Sequence, residues 1–222
     1  MTGPLRHGQP WGHPSTAPPD VDVSGDDSDL SDAAARHPGA LVRFRPSPRS
    51  DIARALGLGP DAVASTEVAL DALALESDAI GATTAVNAVV VGRPPDRLRW
   101  TTRHASISIT VDGRLWFEDP ATTVVVASGQ FLRGADLIPR GHPGDGWVEV
   151  QVYELARDER RAMRRRLPSG THVPHPHIHT TRVRRVEIQV DRPVPLEVDG
   201  RPRGKTRRLS VTLVPEAIRV LV

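Results

Sequence analysis

The chain has 222 residues, of which 38% are hydrophobic and none is cysteine, so disulfides and thiolate metal sites are excluded. Its 21 prolines and 18 glycines favour short strands and turns over long helices. No apolar run of about 18 residues is present, and the first thirty residues lack the apolar segment of a signal peptide, so we expect a cytoplasmic protein.

The net charge of +2 conceals an uneven distribution of charge. Residues 1–150 contain 13 Lys and Arg against 19 Asp and Glu, whereas residues 151–222 contain 16 against 8. A basic last third suits phospholipid head groups, although an arginine-rich solvated surface has the same composition. Nucleic acid is not expected as a partner, because only 4% of the residues are aromatic and no nucleic-acid-binding motif is present.

The N-terminal segment, residues 1–37, is rich in Pro, Gly, Ser and Asp and shows almost no apolar periodicity. Six aspartates cluster between positions 20 and 32. Because such a segment cannot offset its chain entropy by burying apolar surface, we expect a disordered acidic tail.

Residues 38–85 form a second segment, with a short strand expected at 41–45. Ser50 is a suitable N-cap for a helix over 51–56, which Gly57 would end. A second helix is predicted over residues 61–75.

From residue 86 the pattern becomes β. Residues 86–91 are continuously apolar apart from Asn87, as in a strand covered on both faces. Residues 106–111 alternate between apolar and polar, and Asp112-Gly113 predicts a hairpin turn. The same alternation recurs at Val148, Val150 and Val152, at Val186, Ile188 and Val190, at Leu196 and Val198, at Leu209, Val211 and Leu213, and at Ile218, Val220 and Val222.

One helix is expected among these strands, over residues 157–167, where Pro168 and Gly170 would end it. The pattern therefore predicts a mainly β fold: a two-layer β-sandwich over residues 86–222, with one or two short N-terminal helices and one inserted helix.

A family resemblance lies in Val124-Val-Val-Ala-Ser-Gly-Gln-Phe-Leu-Arg-Gly134 and the following His142-Pro-Gly-Asp-Gly-Trp-Val-Glu-Val150. This stretch resembles the C-terminal domain of bacterial diacylglycerol and related lipid kinases, where a strand leads into Asn-Gly-x-x-x-Gly-Gly-Gly and then into Asp-Asp-Gly. Arg133 and Ala135 interrupt the family's glycine triplet. The resemblance extends from residue 51 to residue 222 and implies a β-sandwich and a lipid substrate.

The phosphate-binding motifs of that family are altered here. Its interlobe motif Gly-Thr-Gly-Asn-Asp-Phe-Ala-Arg corresponds to Ser47-Pro-Arg-Ser-Asp51-Ile-Ala-Arg54, in which Ser47 and Arg49 replace both glycines. Because backbone N–H groups approach a phosphate only where no side chain intervenes, phosphate contact is not expected at this loop. The family's upstream Gly-Gly-Asp-Gly-Thr motif has no expected counterpart in residues 1–50.

The family's proton acceptor is also replaced. A Glu follows Asp-Gly in its members, and Arg201 stands at that position in Asp199-Gly200-Arg201. A guanidinium cannot accept a proton, so no catalytic residue is assigned. Glu197 and Asp199, on the same strand face, are possible substitutes or simply solvated turn residues.

The resemblance implies a Mg²⁺ ion at the Gly144-Asp-Gly146 turn. Carried over by position, Asp145 supplies a carboxylate, and His142 and Trp147 supply main-chain oxygens; these three are the expected metal ligands. The alternative is an ordinary turn at the start of a strand.

Four histidines, His172, His175, His177 and His179, follow in Thr171-His-Val-Pro-His-Pro-His-Ile-His-Thr180. On an extended chain, residues 175, 177 and 179 project to one side, where three imidazoles can hold Zn²⁺, Ni²⁺ or Cu²⁺. The resemblance implies structural roles for His172 and His175, which leaves the cluster's role open.

Two arginine-rich clusters are the expected contacts with an anionic membrane surface or lipid, at about 1 kcal/mol for each cation near the surface. The first is in the helix over 157–167 and the second is in the final hairpin. Their residues are Arg157, Arg160, Arg161, Arg164, Arg165, Arg203, Lys205, Arg207 and Arg208.

The hypothesis that follows is a lipid-kinase-family β-sandwich protein that is catalytically inactive and binds lipid or assists a partner protein. The alternative is a diverged active lipid kinase that transfers the γ-phosphate of ATP to a diacylglycerol-like hydroxyl, either through unrecognised phosphate contacts or with a nucleotide lobe supplied by a partner chain. A third interpretation is a decayed or truncated gene product.

Overall fold

The structure is a computed structural model that describes residues 12–58 and 65–222. Three α-helices lie in these residues: α1 (Asp27–Arg36), α2 (Asp51–Ala55) and α3 (Glu159–Arg166). Two short 3₁₀ helices cover Pro95–Arg97 and Leu167–Ser169. None of these helices has the length and apolar character needed to span a membrane.

The strands of the described residues are numbered in chain order. They are β1 (His13–Pro14), β2 (Val21–Gly25), β3 (Leu41–Pro46), β4 (Thr66–Ser77), β5 (Gly81–Ala85), β6 (Ala88–Gly92), β7 (Ala105–Val111), β8 (Arg114–Ala121), β9 (Thr123–Ala127), β10 (Phe131–Leu132), β11 (Ala135–Asp136), β12 (Val148–Tyr153), β13 (Ile178–Val183), β14 (Arg185–Val198) and β15 (Arg201–Leu221).

The two longest strands, β14 and β15, connect the parts of the sheet. Along β15 the partners are β14 and β4, both antiparallel. β14 pairs first with β7 and later with β6, with a register shift between Gln189 and Val194. The sheet then continues through β9, β12 and β13. The predicted mainly β sandwich is confirmed, and its principal apolar core is built from inward-facing residues of β4, β6, β7, β9, β12, β14 and β15.

The segment that we expected to be disordered, residues 1–37, contains regular structure in its described part. β2, α1 and β3 form a strand–helix–strand unit whose two strands are parallel, and β3 is also parallel to β15. Leu30 and Ala33 of α1 are buried against Phe44 of β3. The expectation was wrong for residues 21–36, and residues 1–11 lie outside the described part.

The acidic residues explain why this segment folds. Asp26 caps α1 by accepting the Ser28 N–H at 3.1 Å, and Asp29 accepts the Asp26 N–H at 2.9 Å, which completes a capping box. Gly25 has φ near +145°, and a Cβ there would lie 1.9 Å from Asp29 Oδ2. The composition of the segment did not predict this fold, because the aspartates accept backbone hydrogen bonds as helix caps and are not merely solvated charges.

The helix predicted over residues 61–75 is also wrong for its described part, because Thr66–Ser77 is strand β4. The Ala-, Leu- and Glu-rich sequence favours a helix, but β4 lies between β15 and β5 and its backbone groups are used in both pairings. Tertiary pairing therefore overrides local propensity here. Residues 61–64 lie outside the described part.

The remaining elements lie close to their predicted positions. Helix α2 begins after Ser50, whose hydroxyl accepts the Ala53 N–H at 3.0 Å. The inserted helix α3 begins two residues later than expected. Asp112 and Gly113 form the turn between β7 and β8, both with positive φ.

Candidate functional site

The turn between β2 and α1 has the sequence Ser24-Gly-Asp-Asp-Ser28. It keeps the second and third residues of Gly-Gly-Asp-Gly-Thr, as Gly25 and Asp26, and has Ser for Thr at the fifth position. The strand–turn–helix context is the one in which backbone N–H groups bind phosphates. The expectation that residues 1–50 contain no such motif stays a prediction, and this turn, with Ser24 and Asp27 in place of two glycines, is the described segment that bears on it.

Asp27 lies buried where the turn meets helix α2. Its carboxylate accepts the Ser50 hydroxyl at 2.6 Å, the Asp51 N–H at 3.2 Å and the Ile52 N–H at 3.2 Å. Asn87 Nδ2 donates to it at 3.0 Å. An internal carboxylate thus occupies the N–H groups at the start of α2, where the partial positive charge of a helix end favours an anion.

Asp199 is the second buried carboxylate of the site. It accepts the backbone N–H groups of Val86, Asn87 and Ala88 at 2.9, 3.0 and 3.0 Å. These donors fix the turn between β14 and β15 against the start of β6. Asp199 is therefore a structural acceptor, and the idea that it replaces a proton-accepting Glu is not supported by its environment.

Asn87 connects the two carboxylates. Its backbone donates to Asp199, and its side chain donates to Asp27 and, at 3.0 Å, to the Phe131 carbonyl. In the sequence Asn87 was visible as the one polar residue in an apolar run, which is the signal that identifies it as a buried hydrogen-bonding group.

The burial of these groups changes their protonation. Burial, and then the nearby Asp199 carboxylate, raise the pKa of Asp27 to about 7. Burial also raises the pKa of Asp199 to about 6, in opposition to its three N–H donors. No cation contacts either carboxylate in the part of the chain that the structure describes, so both are held mainly by neutral donors.

A second set of contacts involves Asp51, at the start of α2. Asp51 accepts the N–H groups of Arg133 and Gly134 from the β10–β11 loop. The Arg133 guanidinium in turn contacts Glu197 and Asp96, the latter at 3.1 Å. Burial raises the pKa of Glu197, and Arg133 opposes that rise. Glu197, the other sequence-predicted substitute base, is therefore held in an ion pair.

Arg201 also forms ion pairs with acidic side chains. Its Nη2 lies 2.9 Å from Asp26 and 2.7 Å from Asp29. The hydrogen bond from Arg201 lowers the pKa of Asp29, which keeps that carboxylate ionised. The cation at the family's Glu position thus contacts the aspartate of the Gly-Asp turn across the gap between α1 and the final hairpin.

Several of these groups line one cavity of about 600 Å³. Its walls contain acidic and basic side chains from the strand–helix–strand unit and from the sandwich. They include Asp26, Asp27, Pro48, Arg49, Asp51, Arg54, Arg97, Arg133, Gly134, Asp199, Gly200 and Arg201. Pro48 and Arg49 of the altered interlobe motif therefore lie at this cavity, although Ser47 does not line it.

The expected Mg²⁺ ligands lie elsewhere, near the start of β12. Arg182 contacts the Asp145 carboxylate with Nη2 and Glu149 with Nε at 2.8 Å. The His142 carbonyl accepts the Gly144 and Asp145 N–H groups at 2.8 and 3.3 Å. Arg182 also lies over the Trp147 ring at 5.5 Å. A guanidinium beside the carboxylate does not fit a divalent cation, so magnesium at His142, Asp145 and Trp147 stays a prediction that this geometry does not favour.

The four histidines separate into three environments. His172 is buried and stacks on Tyr153, and burial lowers its pKa to about 4. His179 bonds to Glu154 at 2.8 Å. His175 and His177 lie together, with ring centroids 5.8 Å apart. The expected row of three imidazoles is therefore reduced to a pair.

The basic residues do not all face solvent either. Arg160 is almost fully buried and donates to the carbonyls of Arg99, Trp100 and Thr102 at 2.9, 3.2 and 2.8 Å. Its expected membrane contact is therefore wrong. Trp100, which we did not single out from sequence, is 68% exposed on the loop that Arg160 holds.

The raised pKa of Asp27 predicts a specific pH dependence of stability. Between its ordinary value of 3.8 and about 7, the folded state binds the proton that the unfolded state releases, so the stabilising contribution is lost as pH rises through about 7. We expect Asp27→Asn to gain stability relative to the wild type between about pH 5 and pH 8, by about 1 kcal/mol or more. Urea unfolding at several pH values measures the difference. Asp158→Asn, at an exposed position, is the control, and parallel profiles for Asp27→Asn and wild type would contradict the assignment.

Comparisons with known proteins agree with this architecture. The family model for the YegS C-terminal NAD kinase beta sandwich-like domain matches residues 97–222. A search of curated protein sequences found no match.

Solved structures share this fold, among them the following three. A diacylglycerol kinase from Bacillus anthracis str. Sterne is 16% identical, with a TM-score of 0.71 over 91% of this chain and 77% of that one. Yeast NADH kinase complexed with NADH is 13% identical, with a TM-score of 0.55 over 91% of this chain and 61% of that one. An NAD kinase from Archaeoglobus fulgidus in complex with ATP is 11% identical, with a TM-score of 0.54 over 91% of this chain and 78% of that one.

At these identities the structural matches establish the fold alone. The family-model match is more specific, because it covers more than half of the chain. The chain belongs to the family of the YegS C-terminal NAD kinase beta sandwich-like domain.

Proposed function

We propose that this protein is a non-catalytic member of the lipid-kinase family that attaches to anionic membrane surfaces. The proposal that the protein is non-catalytic rests on the ion pairing of Arg201 with Asp26 and Asp29. Arg201 is a permanent cation at the position that the family resemblance gives to a proton-accepting Glu, and it pairs with the aspartate of the Gly-Asp turn.

Proton removal from a lipid hydroxyl requires a carboxylate with a free oxygen near the acceptor. Arg201 cannot take a proton. Glu197 is paired with Arg133, and Asp199 is buried among three backbone donors. Of the three candidate positions for a base, one is therefore occupied by Arg201, and the carboxylates at the other two, Glu197 and Asp199, already have partners within the chain.

Phosphate binding has a second obstacle. Asp27 already accepts the N–H groups of Asp51 and Ile52, which would otherwise be available to an anion. A nucleotide phosphate entering here would find these N–H groups already bonded, and above about pH 7, where Asp27 is ionised, it would also meet a like charge. Transfer also requires metal-bridged phosphates, and the acidic groups that line this side of the cavity are partly neutralised by arginine.

Phosphoryl transfer tests this proposal directly. Purified full chain with radiolabelled ATP, Mg²⁺ and diacylglycerol in mixed micelles is expected to give no labelled lipid above the protein-free control. The melting temperature is expected to be unchanged by ATP and Mg²⁺, because only a ligand that binds the folded state shifts it.

The alternative, an active kinase, is favoured by the retained Gly25-Asp26 turn between β2 and α1. Saturable labelling of diacylglycerol that is lost in Asp26→Asn would establish that alternative. It would also overturn the non-catalytic assignment.

Membrane attachment is proposed from the surface around Trp100, defined here as residues 93–104 and 157–166. Arg157 lies over the exposed indole at 5.5 Å, and the buried Arg160 fixes the loop that presents it. An exposed tryptophan beside arginines suits the interface of an anionic bilayer, where the ring enters the head-group region and the guanidiniums remain at phosphates.

The charge of this surface supports the same partner. Residues 93–104 and 157–166 contain nine arginines besides the buried Arg160, and three acidic residues. The second cluster, in the β14–β15 hairpin, is more nearly neutral, because Arg201 and Arg203 lie beside Asp26, Asp29 and Asp32. The Trp100 surface is therefore the stronger candidate of the two.

Vesicle co-sedimentation distinguishes these surfaces. We expect binding to vesicles of phosphatidylcholine with phosphatidylglycerol, and little binding to phosphatidylcholine alone. Because each cation contributes about 1 kcal/mol, Arg161→Ala with Arg165→Ala should weaken binding about tenfold or more, and Trp100→Ala should weaken it as well.

The matched control is Arg36→Ala with Arg114→Ala, exposed arginines of α1 and β8 outside the Trp100 surface. Binding that ignores lipid charge, or that falls equally in the control, would contradict membrane attachment through this surface.

A further inference from the structure

We infer that Glu159, His175 and His177 form a binding site for a divalent transition metal of the Zn²⁺ class. Among the described residues this is the one group of histidine and acidic side chains whose ligand atoms all lie within 4.8 Å of one another. It lies outside the cavity described above, between the first residue of α3 and the loop before β13.

The present distances are close to those of a coordinated metal. His177 Nδ1 lies 2.8 and 2.9 Å from the two Glu159 carboxylate oxygens, and His175 Nε2 lies 3.9 Å from Glu159 Oε1. Metal–ligand bonds of about 2.0–2.2 Å in tetrahedral geometry place ligand atoms about 3.3 Å apart. Small side-chain movements therefore suffice to bring the three ligand atoms around one ion.

The donor set selects the class of metal. Two imidazoles and one carboxylate suit Zn²⁺, Cu²⁺ or Ni²⁺, whereas a Mg²⁺ site is built from oxygens. His177 is about half exposed and His175 is more enclosed, so the remaining coordination positions open to water. Three protein ligands with an open side describe an exchangeable site rather than a closed structural one.

The backbone around the ligands is held in place. Pro174 and Pro176 restrict φ on both sides of His175, and His175 forms an isolated bridge with Ile178. Glu159 Oε2 accepts the Ala156 N–H at 2.7 Å at the start of α3. Because the proposed ligands are already restrained, they lose less conformational entropy on metal binding than ligands on an unrestrained loop would.

Binding also has a cost at His175. Its Nδ1 accepts the His177 N–H at 3.1 Å, and a neutral imidazole that binds metal through Nε2 carries its proton on Nδ1. Coordination through Nε2 therefore breaks this exposed turn hydrogen bond, whose donor can turn to water.

The neighbouring histidines provide the contrast needed for a test. His179 contacts Glu154 at 2.8 Å and the Phe117 ring at 5.2 Å, away from the proposed ligands. Its replacement removes an imidazole from the same sequence cluster without removing a proposed ligand.

Zn²⁺ titration of the untagged full chain by calorimetry tests the site. We expect saturable binding in which His177→Ala and His175→Ala each weaken affinity about tenfold or more, as loss of a ligand requires, while His179→Ala leaves it within about twofold. Co²⁺ provides an independent readout, because coordination by these ligands gives visible absorption that His177→Ala should abolish and His179→Ala should retain.

Absence of saturable Zn²⁺ binding would overturn the site. Equal losses in His177→Ala and His179→Ala would also overturn it, because they would indicate diffuse binding by the histidine-rich segment. Unfolding measured on each variant shows whether a loss of binding follows from a loss of structure; Glu159→Gln, which keeps the size of the side chain, then has to reproduce the weakening for the assignment to stand.

Discussion

The architecture around the cavity depends on two buried carboxylates that satisfy backbone N–H groups from other elements. Asp27 reaches the start of α2, and Asp199 reaches the start of β6. Asn87, between them, donates to both. A buried N–H without a partner costs about 1–3 kcal/mol, so these acceptors join the strand–helix–strand unit to the sandwich. The same burial keeps the pKa of each carboxyl high.

Because carboxylates already accept these N–H groups, the cavity is poorly suited to bind a polyphosphate. A site built to bind polyphosphate presents bare N–H groups and cations to the ligand. Here the N–H groups at α2 contact Asp27, and the cations Arg133 and Arg201 contact Glu197, Asp26 and Asp29. In this cavity the charges are largely paired within the chain. Binding of an external anion would have to break those pairs.

The arginines in the basic last third of the chain fall into three groups that differ in their contacts. Arginines of the final hairpin lie against the acidic first turns of α1, so charge in this region contributes to tertiary structure. Arg160 is buried and supports the Trp100 loop from below. The exposed arginines of α3 belong to the surface proposed for membrane attachment, and Glu159 at the same helix start contacts His177. One short helix therefore connects the Trp100 surface with the proposed metal ligands.

Alternation of apolar residues was sufficient to predict β7, β12, β14 and β15, because each face of a strand meets a fixed environment along its whole length, but it did not predict β4 and β5. The turn at Asp112-Gly113 and the cap at Ser50 were predictable for the same reason: their chemistry is local. The substitution of Arg201 for a glutamate was likewise visible without coordinates. These features depend only on near neighbours in sequence.

The structure alone decided the features that depend on distant partners. The acidic segment folds because Asp26 and Asp29 cap a helix and contact Arg201, which lies about 170 residues away along the chain. β4 is a strand because β15 and β5 pair with it, although its composition favours a helix. Charge and secondary-structure propensity can be read from each residue alone, whereas burial and ion pairing depend on which residues meet in the folded chain. Sequence determined the sandwich and the presence of Arg201 after Asp199-Gly200, and only tertiary contacts decided which charges are paired.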